Sequence, residues 1–133
     1  MLTICDTHVL LFWADQPERL TNTAREALDE GQKEETLACV DISFWEIAML
    51  FRKRRLSLPP HHTAEAYMQD IVQSLYLKVL SVTPEIAALA ESGIVVHGDP
   101  ADRLIGATAL SYRYPLITAD EKLHALSGLR WIW

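Results

Sequence analysis

The chain has 133 residues, of which 50% are hydrophobic and 23% charged, and this balance excludes a disordered or fibrous protein. A chain of this length buries roughly two-thirds of the surface that it exposes when unfolded, so it can form a core without disulfides or zinc. Twelve basic against eighteen acidic residues give a net charge of −6, which argues against a uniformly basic surface that binds nucleic acid.

The distribution of apolar and charged residues is not typical of a membrane or exported protein. The longest uninterrupted apolar run, residues 9–14, is far shorter than the ~20 residues that cross a bilayer. Asp6, with no basic residue before it, is atypical of a signal peptide. In the absence of repeats and linkers, we expect one cytoplasmic domain over residues 1–133, in which Cys5 and Cys39 are buried, reduced thiols.

Short apolar runs with β-branched residues alternate with longer patterns of helical period. In chain order, the sequence predicts a strand over residues 2–5, helices over 7–14 and 22–30, a strand over 36–40, helices over 43–55 and 63–75, a strand over 78–82, helices over 84–92 and 100–113, and strands over 115–119 and 129–133. Gly31 and Gly93 are placed to end helices, and Thr83 and Asp99 to cap helices that begin with proline. The alternation predicts an α/β fold, a three-layer α/β/α sandwich around a five-stranded, mostly parallel sheet.

Acidic residues follow the predicted strands, at the edge where parallel sheets bind ligands. Asp6 follows the first strand and Asp120 the fourth, so their side chains lie close together if these strands are neighbours. Glu46 opens the helix after the second strand, and Asp99 and Asp102 flank the start of the last long helix. Carboxylates packed this closely repel one another, and a divalent cation would relieve the repulsion.

The donor set indicates a hard cation. Carboxylates suit Mg²⁺, with Mn²⁺ as a substitute, whereas the two cysteines and five histidines do not have the spacing of a zinc site. Such an ion can orient a water and neutralise charge on a phosphodiester, so the pattern favours metal-dependent phosphodiester hydrolysis.

Each acid also has a structural interpretation, as a cap or a dipole partner of a helix. Asp99 precedes Pro100 and suits an N-cap, while Ser43 and Glu46 have the spacing of a capping box. The other three acids also lie at the beginnings of helical segments. These roles do not explain why all the acids meet at one edge of the sheet, which favours a functional role.

The order of these motifs resembles the PIN-domain family, and most of all the VapC-type ribonuclease toxins of bacterial toxin–antitoxin pairs. The resemblance is carried by Asp6-Thr7-His8, Ser43-x-x-Glu46, the block from Asp99 to Ala109 that begins Asp-Pro-x-Asp-Arg, and Thr118-Ala119-Asp120. Two positions depart from the family pattern, Ala101 and Gly106, and they concern packing.

The resemblance implies a PIN-like nuclease that cleaves RNA with Mg²⁺, forms a homodimer and binds a small antitoxin protein. The implied catalytic quartet is Asp6, Glu46, Asp102 and Asp120, of which Asp6 and Asp102 bind the metal directly. The implied auxiliary residues are Thr7, Ser43, Asp99 and Thr118.

A basic run ends the helix predicted after the second strand. Arg52, Lys53 and Arg54 are expected to continue along the face of its glutamate and to bind RNA phosphates, with a solvated helix end as the alternative. His97 is interpreted as an exposed loop residue, and Arg103 as the partner of a neighbouring acid. The tryptophans are expected in the core or at a dimer face.

Two other classes of protein also place acids on such a sheet. A receiver-like regulatory domain would need an acidic pair after the first strand, where this chain has Cys5-Asp6, and a lysine after the fifth strand. A catalytically silent PIN-like interaction module would keep the fold without cleaving RNA.

Overall fold

Five short parallel strands form one sheet in the computed structural model, which describes residues 1–133. The strands are β1 Thr3–Cys5, β2 Leu37–Val40, β3 Lys78–Leu80, β4 Leu116–Ile117 and β5 Trp131–Ile132. Their order is β3-β2-β1-β4-β5, so β1 and β4 are neighbours where the order reverses. Receiver domains have their second strand at the sheet edge, whereas here the third strand lies there, so the receiver-like interpretation is wrong.

Helices cover both faces of the sheet, as the α/β/α prediction requires. They are α1 Thr7–Asp15, α2 Asn22–Glu34, α3 Ile42–Arg52, α4 Ala64–Ser74, α5 Pro84–Ala90, α6 Pro100–Tyr112 and α7 Glu121–His124. A 3₁₀ turn at Pro17–Arg19 follows α1. None of the helices combines the length and the apolar character needed to cross a bilayer.

The two faces of the sheet belong to separate hydrophobic clusters, because side chains alternate along each strand. Cys5, Cys39 and Ile117 pack with residues of α1 to α4 in the larger cluster. Ile4 and Leu116 pack on the opposite face with residues of α6. Both cysteines are buried and free, which confirms the prediction for them.

The predicted caps of α5 and α6 are confirmed. The Thr83 hydroxyl accepts the Ile86 N–H at 3.2 Å, and Asp99 Oδ1 accepts the Ala101 N–H at 2.8 Å. In each helix a proline occupies the first turn, where its missing N–H costs no hydrogen bond. The Asp99 cap fixes the direction in which α6 leaves the sheet edge.

The prediction that Gly31 ends α2 is wrong. The helix continues to Glu34, and the chain turns at Glu35, which has a left-handed φ of 56°. Gly31 is buried against Leu37, and a Cβ at this position would overlap the Leu37 side chain. The glycine therefore allows α2 to approach β2 closely.

The end of α3 is also earlier than predicted. Arg54 has a left-handed φ of 57°, its N–H donates to the Phe51 carbonyl at 3.0 Å, and the Arg55 N–H donates to the Leu50 carbonyl at 2.9 Å. This is the Schellman pattern of a helix end. The helix therefore stops at Arg52.

Candidate active site

The acids predicted at the strand ends meet where β1 and β4 pair. Cys5 of β1 is in register with Ile117 of β4, so the residues that follow them lie side by side. The Thr118 hydroxyl donates to Asp6 Oδ2 at 2.7 Å. The crevice beyond this switch in strand order is where open α/β sheets bind ligands.

Asp6 is held by two donors at the centre of this crevice. Its Oδ1 accepts the Thr7 N–H at 2.8 Å, so Asp6 also caps α1, and the residue is only 4% exposed. Burial raises the pKa of Asp6, although the hydrogen bonds from Thr118 and Thr7 act in the opposite direction. The carboxylate is thus fixed in orientation.

One face of α3 brings Ser43 and Glu46 to the site. The capping-box interpretation is wrong, because α3 already begins at Ile42 and the Ser43 hydroxyl instead shares a hydrogen bond of 2.7 Å with the Thr7 hydroxyl. Glu46 is 3% exposed, and its Oε1 has no hydrogen-bond partner. A buried carboxylate oxygen without a donor is costly, so it indicates a site built to bind something positive.

The first turn of α6 adds two more carboxylates. Asp99 caps the helix through Oδ1 alone, which accepts the N–H groups of Ala101 and Asp102 at 2.8 and 3.4 Å. One ligand oxygen from each of Glu46, Asp99 and Asp102 lies within 4.8 Å of the other two. Asp99, predicted as auxiliary, is therefore part of the acidic cluster as well as a cap.

Burial and mutual repulsion perturb these acids. The pKa of Asp102 is raised to about 8, first by burial and then by neighbouring carboxylates, among which Asp6 has the largest effect. Burial also raises the pKa of Glu46. At neutral pH the metal-free site therefore holds a proton on Asp102, and a cation would take its place.

The cluster fits a hard divalent ion. Glu46, Asp99 and Asp102 offer oxygen donors at close range, and such donors suit Mg²⁺ or Mn²⁺. Of the two ligands predicted from the resemblance, Asp102 belongs to this cluster. Asp6 lies outside it and acts on Asp102 through its charge.

His97 belongs to the site, so its interpretation as an exposed loop residue is wrong. Its side chain is 7% exposed, and Nε2 lies 2.7 Å from Asp120 Oδ2 and 3.4 Å from Asp102 Oδ2. The Asp99 N–H donates to its Nδ1 at 2.9 Å. The one signal in the sequence was its position in the turn that leads into the Asp99 cap.

Asp120 remains ionised, in contrast to Asp102. Burial alone would raise the pKa of Asp120, but the hydrogen bond from His97 and those from the Lys122 and Leu123 N–H groups lower it overall. Its side chain is 25% exposed, so it reaches the solvent side of the crevice. The site therefore combines a buried, protonated Asp102 with an ionised Asp120 at its mouth.

The basic run ends α3, as predicted, and Arg52, Lys53 and Arg54 are exposed. Lys53 is the C-cap and still donates its N–H to the Met49 carbonyl at 2.9 Å, whereas Arg54 has a left-handed φ, so the expectation that the helix continues through Arg54 is wrong. Arg55 lines a cavity of about 540 Å³ beside α1, together with residues such as His8 and Arg19.

The structure also tests the predictions for Arg103 and the tryptophans. Arg103 pairs with an acid as predicted, since its Nη2 lies 3.1 Å from Glu91 Oε1. Trp13 and Trp133 pack against the larger hydrophobic cluster, whereas Trp45 and Trp131 are exposed. The prediction that tryptophans pack in the core is thus confirmed for Trp13 and Trp133.

A parallel sheet with this strand order and an acidic cluster at its switch point defines a family of known domains. The family model described as PIN domain matches residues 3–129. The chain belongs to the PIN domain family, as the motif resemblance predicted.

Individual proteins are similar to it over nearly their whole length. Ribonuclease VapC22 of Mycobacterium tuberculosis (strain ATCC 25618 / H37Rv) is 32% identical over 123 residues, which are 92% of this chain and 89% of that protein. The structure of VapBC2 from Rickettsia felis bound to a DNA fragment from their promoter matches with a TM-score of 0.72 at 14% identity, over 98% of this chain and 97% of that one. A toxin–antitoxin complex from Klebsiella pneumoniae matches with a TM-score of 0.61 at 20% identity, over 96% and 94% of the two chains. The two structures confirm the fold.

Proposed function

We propose that this chain is a Mg²⁺-dependent endoribonuclease that also accepts Mn²⁺, and the toxin of a toxin–antitoxin pair. The observation that carries the proposal is the buried Glu46 carboxylate, which has one oxygen without a hydrogen-bond partner and lies in a cluster with Asp99 and Asp102 at the switch point of the sheet. Membership of the PIN domain family, and the likeness to a protein named as a ribonuclease, support RNA as the substrate.

Three carboxylates would hold the ion, those of Glu46, Asp99 and Asp102. Asp6 remains a further proposed ligand, because each of its oxygens accepts one hydrogen bond and keeps a second lone pair. When bound, the ion supplies positive charge at the scissile phosphate and activates a water. Asp120, ionised and closer to solvent, orients that water.

The auxiliary residues support Asp6 in different ways. The Thr118 hydroxyl fixes one oxygen of Asp6, and the Thr7 backbone N–H fixes the other. The Ser43 hydroxyl in turn holds the Thr7 side chain. Loss of the Thr118 hydroxyl would therefore weaken cleavage by misplacing Asp6.

RNA phosphates beyond the cleaved bond need cations that the acidic site does not provide. Arg52, Lys53 and Arg54 form a dense, exposed group of positive charges, and we assign them this role. The carboxyl-terminal end of α3 carries this basic group while the first turns of the same helix carry Glu46. One helix thus links the acidic crevice to the basic group.

A small antitoxin and a second copy of this chain are the proposed protein partners. Structures of the same fold from Rickettsia felis and Klebsiella pneumoniae are described as VapBC2 and as a toxin–antitoxin complex, which supports an antitoxin. Copurification with the product of the adjacent gene, and a dimer by light scattering, are the expected results. A monomer that retains no such partner would contradict the toxin assignment and leave the nuclease assignment standing.

Cleavage of a defined RNA pool tests the enzymatic proposal. The wild type should cleave RNA with Mg²⁺, and EDTA should abolish cleavage. Asp6→Asn and Glu46→Gln should lose it, whereas Asp29→Asn, which changes an exposed acid on α2, should keep it. Equal cleavage by all three variants would contradict the site, and no cleavage by the wild type with Mg²⁺ would favour the silent interaction module.

A further inference from the structure

His97 lies between two carboxylates of the proposed active site. Its Nε2 is 2.7 Å from Asp120 Oδ2 and 3.4 Å from Asp102 Oδ2. The ligand oxygens of Asp102 and Asp120 lie within 4.8 Å of each other, which is near the spacing that one cation with metal–oxygen distances of about 2.1 Å spans. The imidazole therefore fills a position that a metal ion could otherwise take.

The backbone fixes which nitrogen of His97 carries the hydrogen. The Asp99 N–H donates to Nδ1 at 2.9 Å, so Nδ1 offers its lone pair. In the neutral ring the hydrogen is then on Nε2, which donates to Asp120. A ring nitrogen that carries a hydrogen has no lone pair for a metal, so in this arrangement His97 is a donor to the acids and not a ligand.

Arg103 holds the backbone at His97 through two contacts. Arg103 Nη1 donates to the His97 carbonyl at 2.8 Å, and Arg103 Nη2 is paired with Glu91 at 3.1 Å. The His97 side chain is 7% exposed, so it has little room to turn away. Arg103 thereby anchors the turn that presents the Nε2–H group to Asp120.

We infer that His97 occupies the place of a second metal ion, so that this site binds a single divalent cation. Glu46, Asp99 and Asp102 would hold that ion, while the Nε2–H group of His97 separates Asp120 from Asp102. His97 is thus a positioning residue that keeps Asp120 out of the metal's ligand set. The inference rests on the proposed function, since it takes a divalent ion as the cofactor.

Counting bound Mn²⁺ by equilibrium dialysis tests the inference without measuring activity. The wild type should bind one ion per chain. His97→Ala should bind two, the second between the freed carboxylates of Asp102 and Asp120. His97→Gln should bind one, because its amide can donate to Asp120 as Nε2 does. His62→Ala, a matched change at an exposed histidine, should also bind one.

The possible counts have distinct meanings. Two ions in the wild type, falling to one in His97→Ala, would identify His97 as a ligand and overturn the inference. One ion in both proteins would overturn it too, because the imidazole would then exclude nothing. Neither result contradicts the proposed function. If the wild type bound no ion, both the single-ion inference and the proposed function would be contradicted. Should His97→Ala not fold, His97→Asn, whose amide is too short to reach Asp120, takes its place.

Discussion

Asp102 bears much of the electrostatic cost of assembling the acidic crevice. Its side chain is 12% exposed, and its pKa is raised from 3.8 to about 8 by burial and by neighbouring carboxylates. The folded protein therefore keeps a proton on Asp102 over a pH range in which the unfolded chain has lost it. In that range, the free energy of unfolding falls as pH rises.

We predict that the free energy of unfolding of the metal-free protein decreases as the pH rises from about 4 to about 8. Above the folded pKa of Asp102, this residue should cause no further decrease. One proton gives a slope of at most about 1.4 kcal/mol per pH unit. The raised pKa values of Glu46 and Asp6 act in the same direction. Urea unfolding in EDTA at several pH values measures the slope.

Asp102→Asn is the control for this prediction. The variant lacks the titrating group, so its slope should be smaller and it should be more stable than the wild type at pH 8 in EDTA. Its melting temperature should also respond less to Mn²⁺. A wild type whose stability rises from pH 5 to pH 8 would show that the acids are not destabilised by burial and repulsion.

Residues at strand ends could be located from the sequence, and residues placed by a loop could not. The positions of Asp6 and Asp120 follow from the pattern of strands, because parallel neighbours end at one edge of the sheet. His97 lies in a segment without a period, and its contacts depend on how the turn before α6 folds back onto the acids. Nothing local distinguishes it from an exposed histidine.

Element boundaries show a similar division. The sequence predicts that Glu46 lies near the start of α3, and the structure places it on the buried face with Ile47 and Leu50. The end of α3 depends on a left-handed residue, Arg54, whose type favours helix continuation. Gly31 is a residue type that favours a helix end, but here it lies inside α2 because close packing against β2 requires a glycine.

Gly31→Ala tests this close packing. Alanine favours a helix by up to about 1 kcal/mol over glycine, but overpacking against Leu37 should cost about 1–3 kcal/mol and dominate. We predict a net loss of stability in urea unfolding. Gly106→Ala in α6 is the matched control, because its Cβ would lie 3.1 Å from Leu123 Cδ2, farther than a Cβ at Gly31 would lie from Leu37 Cδ2, and should have a smaller effect. A stabilised Gly31→Ala would restore the helix-end interpretation.

The proposed function requires the whole molecule to hold a polyanion although its net charge is −6. Five of its eighteen acids lie at the crevice, where a divalent ion would offset part of the negative charge. Its basic group at Arg52, Lys53 and Arg54 is exposed at the end of α3. Binding of RNA should therefore depend on both the metal-loaded crevice and the basic group, and salt should weaken the contribution of the basic group.

Replacing Arg52, Lys53 and Arg54 together with Gln tests the basic group. Each lost contact to single-stranded RNA reduces the slope of log affinity against log salt by about 0.7, so the triple variant should lose about 2. Its stabilisation by Mn²⁺ should not change, because none of the proposed ligands is altered. An unchanged slope would identify the run as a solvated helix end.

The most direct measurement of the central claim is a Mg²⁺ titration of the metal-free wild type, followed by RNA cleavage and by melting temperature in parallel. The ion that relieves repulsion in the acidic cluster should be the ion that enables cleavage. We predict that the melting temperature begins to rise near the Mg²⁺ concentration that gives half-maximal cleavage, because stabilisation grows as RT ln(1 + [Mg²⁺]/Kd). Cleavage that continues in excess EDTA, or a melting temperature that Mg²⁺ leaves unchanged while cleavage appears, would contradict the account.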